Sequence, residues 1–171
     1  MKRFVISGGP CSGKTTTVSE LGKEFKVFQE AARKVLSEKF NGKHSKDVGR
    51  DSLQREIFKL QEQHFNENKS LDNYVFFDRG FGDTLSYYLF DNLDIPSEFL
   101  EKAKEMKYDK IFFLEPLPFY KKDKLRQESK KEQEKISDYI VQIYSDLGYE
   151  IIKVPAMSVK ERVNFIKEFL F

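Results

Sequence analysis

The run Gly8-Gly9-Pro10-Cys11-Ser12-Gly13-Lys14-Thr15 follows the order G-x-x-x-x-G-K-[ST]. Each residue type at that spacing answers a demand of phosphate chemistry. Gly8 and Gly13 let the backbone turn tightly, so that consecutive N–H groups point at one anion. Lys14 brings a point charge to the β/γ end of a nucleoside triphosphate, and Thr15 offers a hydroxyl to Mg²⁺. The helix that opens at Lys14 adds its positive N-terminal end. The nine residues Gly8, Gly9, Pro10, Cys11, Ser12, Gly13, Lys14, Thr15 and Thr16 are therefore expected to hold a nucleotide.

Carboxylates and arginines recur where other apolar runs end. Asp78 closes the run Tyr74-Val75-Phe76-Phe77, and Arg79 follows it. Ligands of open α/β sheets bind outside the carboxyl ends of strands. An Asp there can hold Mg²⁺ directly or through water, together with Thr15. Arg79 is expected to contact a phosphate or a bound substrate. Glu30 ends the run Lys26-Val27-Phe28 and precedes Ala31-Ala32-Arg33. It is placed to orient or deprotonate an acceptor hydroxyl, with Arg33 one helical turn on as a further substrate contact. Residues 121–135 hold seven basic and four acidic side chains, a net of 7 − 4 = +3. Such a run usually coats a solvated helix. Here it follows the fourth apolar run after a proline-bounded turn, so Arg126 is expected to close on the transferred phosphoryl group.

Short strands alternating with amphipathic helices must position these groups. Strands are expected at Phe4–Ile6, Lys26–Phe28, Tyr74–Phe77, Lys110–Leu114 and Glu150–Val154. Helices are expected over 14–25, 31–40, 51–69, up to Phe90 with Asp83 as its cap, from Pro96 to Lys107, through Ile136–Leu147, and over 158–169. This alternation implies a parallel sheet covered on both faces.

Bulk properties narrow the field. The chain has 171 residues, about one domain's worth, with no repeat and no long linker. Thirty basic against 28 acidic residues give 30 − 28 = +2, so no nucleic-acid or membrane partner is expected. The longest apolar run, Ile111-Phe112-Phe113-Leu114, cannot span a bilayer. One cysteine and no signal-peptide pattern fit a reducing cytoplasm. His44 and His64 share no metal-ligand spacing with each other or with Cys11. No Asn-Lys-x-Asp element is present to read guanine, which favours ATP.

Several of these segments, in this order, resemble a family of small phosphate-loop proteins labelled AAA-domain or ATPase/kinase proteins. The resemblance runs through Ile6–Thr16, Gln29–Arg33, Phe77–Gly80 with Asp83, Tyr108–Pro116, and Arg126-Gln127-Glu128. It continues through Tyr144, Leu147-Gly148-Tyr149, Val154-Pro155 and Glu161-Arg162-Val163. The layout is similar to nucleoside and nucleotide kinases and to the nicotinamide riboside kinase domain of bacterial NAD regulators. Asp78-Arg79-Gly80 departs from the riboside kinase pattern. The resemblance implies an α/β three-layer P-loop NTPase fold over residues 1–171. It also implies a five-stranded parallel sheet in the order 2-3-1-4-5, a lid after strand 4 (about 117–135), and Glu30 or Asp78 near the acceptor.

The leading expectation is a Mg²⁺-dependent ATP phosphotransferase acting on a small hydroxylated acceptor such as a nucleoside or nucleotide. Lys14, Glu30, Asp78 and Arg126 are its candidate catalytic residues. The alternative is a regulatory nucleotide-binding module with slow ATPase or GTPase activity, which needs the phosphate loop but not Glu30.

Overall fold

A computed structural model describes residues 1–67, 73–118 and 129–170. The strands are β1 (Lys2–Ser7), β2 (Lys26–Phe28), β3 (Tyr74–Asp78), β4 (Lys110–Leu114) and β5 (Ile151–Val154). All pair in parallel, in the order β2-β3-β1-β4-β5. Register sets Ile6 opposite Asp78 and Ser7 opposite Phe113, so the ends of β1, β3 and β4 share one edge of the sheet.

Side chains alternate across the pleat, and that alternation builds two cores. Phe4, Ile6, Phe76, Phe112 and Leu114 face one side and meet Val18, Leu21, Val163 and Ile166. Those residues belong to α1 (Lys14–Leu21) and α7 (Val159–Lys167). Val5, Val75, Phe77, Ile111 and Phe113 face the other side and meet four further helices. These are α3 (Arg50–Glu67), α4 (Phe81–Phe90), α5 (Ser97–Glu105) and α6 (Lys130–Asp146). The result is the three-layer P-loop arrangement that the sequence implied. A smaller cluster, Ala31, Val35, Leu53 and Ile57, joins α2 (Ala31–Lys39) to α3. It forms the wall of the cleft described below.

Most boundaries shift by one or two residues, and three differences have a clear local cause. The first helix stops at Leu21, because Gly22 and the turn after it leave the helical ladder before Phe25. Asp83 does not begin α4. It lies three residues after the cap Gly80, and its carboxylate accepts the Gly80 N–H at 3.0 Å. Residues 130–135, placed in the lid by the sequence, are the first turns of α6. Ser129 and Glu132 start that helix by a reciprocal capping box: Glu132 N–H donates to Ser129 Oγ at 3.2 Å, and Ser129 N–H donates to Glu132 Oε2 at 2.6 Å. Arg126 and most of the expected lid lie outside the described residues. Among the described residues, no helix is long and apolar enough to cross a membrane.

Candidate functional site

The loop between β1 and α1 wraps around the side chain of Lys14. Its ammonium donates to the carbonyls of Gly8 and Gly9, both at 2.7 Å, and lies 3.3 Å from Ser12 Oγ. Gly8 has φ +140°, and a Cβ there would sit 2.6 Å from the Leu114 carbonyl, so only glycine fits. Cys11 also takes a left-handed φ, 62°. The backbone N–H groups of Gly9, Ser12, Gly13, Lys14 and Thr15 meet no acceptor among the described residues. A row of unspent donors at a helix N-terminus is an anion cradle.

Burial pulls the Lys14 ammonium down to about 7, helped by the nearby Arg79 charge; Asp78, Asp83 and Glu30 pull it back up. Asp78, at the end of β3, is shifted the other way. Burial raises its carboxyl to about 6, against the opposing pull of Arg79. Its Oδ1 is buried with no hydrogen-bond partner among the described residues. A buried carboxylate oxygen that lacks donors is suited to a cation, whose charge would also favour the ionised form. Mg²⁺ typically takes one or two protein ligands plus phosphate and water rather than a full protein cage. Among the described residues, no group of three His, Cys, Asp or Glu could hold a metal.

Across from the loop stands a carboxylate held by two arginines. Glu30 caps α2, and its Oε2 accepts from Arg33 Nε at 3.0 Å. Its Oε1 is 2.9 Å from Arg79 Nε, an ion pair without hydrogen-bond alignment. Burial favours the neutral acid, but Arg79, Lys14 and Arg33 outweigh it and leave the Glu30 pKa below its usual value. Arg79 has a left-handed φ of 70°, pinned by its own N–H donating to the Ile6 carbonyl at 3.1 Å. Non-glycine residues in that region concentrate at functional sites. Its guanidinium also reaches the Tyr87 hydroxyl at 3.4 Å.

A cleft of about 760 Å³ joins these groups. Pro10 to Thr15 line it, together with Asp78, Glu30, Arg33 and Arg79. Leu36, Leu53, Ile57, Tyr87 and Phe90 extend it beyond the phosphate loop. Gly8, Gly9 and Thr16 do not line it: the first two carry the carbonyls that hold Lys14, and the Thr16 hydroxyl donates to the Gly13 carbonyl at 2.9 Å.

Five residues have roles at the site that the sequence reading did not assign: Asp83, Gln61, Gln54, Arg50 and Arg162. Asp83 is a buried hub. It accepts from Ser7 Oγ at 2.6 Å, from Tyr144 Oη at 2.7 Å and from the Gly80 N–H, locking β1, α6 and the Arg79 turn together. Gln61 donates to the Gly80 carbonyl at 3.1 Å and accepts from Thr84 Oγ1 at 2.9 Å, supporting the same turn. Gln54 lines the cleft one heptad earlier. Both glutamines sit among Leu53, Ile57 and Leu60 on α3, a signal the sequence did contain. Arg50 pairs with Asp91 at 2.8 Å across the far end of the cleft. Arg162 lies beneath the loop and bonds its backbone.

Comparison with known proteins places the fold. The AAA-domain family model matches residues 3–162. The chain belongs to that family. No curated protein matches it in sequence. Among solved structures, the AAA-domain protein is similar to a thymidylate kinase from Candida albicans, with TM-score 0.70 and 16% identity, covering 99% of this chain and 90% of that one. It is similar to deoxyadenosine kinase from M. mycoides with bound dATP, with TM-score 0.65 and 16% identity over 99% of both chains. It also matches a NadR protein in complex with NAD and AMP-PNP, with TM-score 0.68 and 19% identity, over 99% of this chain and 49% of that one. The shared property at these identities is the P-loop kinase fold.

Proposed function

We propose that this AAA-domain protein is a Mg²⁺-dependent ATP phosphotransferase acting on a small hydroxylated acceptor, a nucleoside or nucleotide. The observation that carries the reading is the Glu30–Arg79–Arg33 constellation facing the phosphate loop across a cleft that continues past it. Nucleotide binding alone needs neither the second wall nor the space. The kinases that share the fold act on acceptors of this class, as their names state.

In this reading the loop amides and Lys14 hold the β/γ-phosphates. Thr15 and Asp78 would hold Mg²⁺, which would neutralise charge on the phosphate oxygens. Phosphoryl transfer passes through a loose transition state that asks little of a base and much of positioning. Glu30 suits that demand: ionised and held by two arginines, it accepts the hydrogen bond of the acceptor hydroxyl and aims its oxygen. Arg79 and Arg33 then meet the anionic or polar part of the acceptor. Arg126 is proposed to add positive charge at the transferred group.

Glu30→Gln tests the assignment. It is expected to lower acceptor phosphorylation about 10²-fold, the scale of a positioned proton acceptor, while acceptor-free ATP hydrolysis stays within twofold. No acceptor-dependent rate in the parent, with ATP hydrolysis unchanged by Glu30→Gln, would return the protein to the regulatory-module alternative.

A further inference from the structure

Arg162 is 1% exposed and lies on α7, on the sheet face opposite the acceptor wall. Its guanidinium bridges three backbone carbonyls. Nη1 donates to Ser12 in the phosphate loop, Nη2 to Glu115 at 3.1 Å, and Nε to Pro155 at 3.2 Å. Glu115 immediately follows β4 and Pro155 immediately follows β5, so one planar fork ties the loop after β1 to the exits of the next two strands on that side of the sheet. Burial lowers the Arg162 pKa, partly opposed by Glu115.

The consequence follows from peptide geometry. In a trans peptide the C=O and the next residue's N–H point in opposite directions. Holding the Ser12 carbonyl on Arg162 turns the Gly13 N–H away from α7. That N–H is one of the unspent donors of the cradle. A Cβ on Gly13 would stand 3.1 Å from Arg162 Nη1 and would need φ +80°, so the loop closes onto the guanidinium only because residue 13 is glycine.

We propose that Arg162 is the positioning residue of the phosphate loop, fixing the Ser12–Gly13 peptide so that the Gly13 N–H faces the bound phosphate. The inference rests on the nucleotide-binding part of the reading above and is independent of the acceptor. Arg162 touches no substrate; it acts through the loop backbone. Lysine keeps the charge but cannot span three carbonyls, so Arg162→Lys separates geometry from electrostatics.

The test uses the full chain and its R162K and R162M variants. Melting temperature is read without nucleotide, Mg·ADP affinity by calorimetry, and the Gly13 amide by ¹H–¹⁵N NMR. One charge-assisted hydrogen bond translates to a roughly 10- to 100-fold change. R162K is expected to melt within a few degrees of the parent and to bind ADP at least tenfold more weakly. Its ADP-induced Gly13 shift should collapse while the Thr15 shift persists. A folded R162K or R162M with ADP affinity within twofold of the parent overturns the proposal. So does weakened binding with the Gly13 shift intact. If neither variant folds, the parent decides: the Gly13 amide must be among the most strongly ADP-shifted, and an unshifted Gly13 ends the proposal. A parent that binds no ADP instead ends the nucleotide reading on which it stands.

Discussion

The two ends of the cleft are built from different materials. The phosphate end is backbone: N–H groups of Gly9 and Ser12–Thr15, shaped by glycines and gathered around Lys14. The acceptor end is side chain: Glu30 and Arg33 from α2, Gln54 from α3, Arg79 from the turn after β3, Tyr87 from α4. A backbone cradle recognises one invariant shape and tolerates most side chains. A side-chain wall can be retuned residue by residue. One fold can therefore keep its phosphate donor and change its acceptor, and mutations at the two ends should read out separately.

The largest expected effect is at the phosphate end. Lys14→Ala removes the buried ammonium and should cost about 10³-fold in turnover, in the range for a lost electrostatic group in phosphoryl transfer. ADP affinity measured by calorimetry should fall with it. At the acceptor end, Arg79→Met should raise the acceptor KM by about 10- to 100-fold, the value of a charged hydrogen bond. ADP affinity should stay within twofold. If Arg79→Met weakens ADP as strongly as it weakens the acceptor, the two ends are one site and the comparison fails.

A smaller effect distinguishes the ends by pH. Lys14 is depressed to about 7 in the ligand-free protein from an ordinary 10.5, chiefly by burial. A bound phosphate adds negative charge and raises it again, so the complex holds more protons than the free protein. ADP affinity is then full below about pH 7 and declines as pH rises through it, by a few-fold up to pH 8. Calorimetry across pH 6–8.5 checks the slope, and Lys14→Ala should abolish it. Asp78 carries the opposite lesson for folding. Its folded pKa of about 6 lies above its ordinary 3.8, so its contribution to stability is present below about pH 4 and lost as pH rises through 6.

The smallest effect on binding should come from the support beneath both ends. Tyr144→Phe removes the 2.7 Å hydrogen bond to Asp83. It should lower unfolding free energy by about 1–2 kcal/mol, the scale of a buried hydrogen bond to a charged group. Neither ADP affinity nor acceptor KM should move beyond twofold, which urea unfolding and steady-state kinetics would check.

The same division explains what could be read from sequence. The five strands and the loop at 8–16 were legible because glycine spacing and apolar runs report backbone geometry directly. Glu30 and Asp78 were legible because strand ends are where α/β sheets bind ligands. The Glu30–Arg79 pairing was not, since it joins two segments about fifty residues apart through side-chain reach. The charge run concealed the start of α6, although Ser129-Lys130-Lys131-Glu132 carries a capping-box pattern. Asp83 looked like a helix cap, and its bond to the Gly80 N–H does serve α4. Its bonds to Ser7 and Tyr144 cross the fold and leave no local trace. Arg162 was visible only as part of the Glu161-Arg162-Val163 segment, and its bonds to Ser12, Glu115 and Pro155 join parts of the chain that local patterning does not connect.

The most direct measurement follows the γ-phosphoryl group itself. ATP labelled at the γ-phosphate, Mg²⁺ and the protein are incubated with a panel of nucleosides, nucleoside monophosphates and small hydroxylated metabolites. The account predicts label transferred to a member of the panel, ADP released in equal amount, and both lost with Lys14→Ala. Label appearing only as inorganic phosphate, at a rate no acceptor changes, would contradict it.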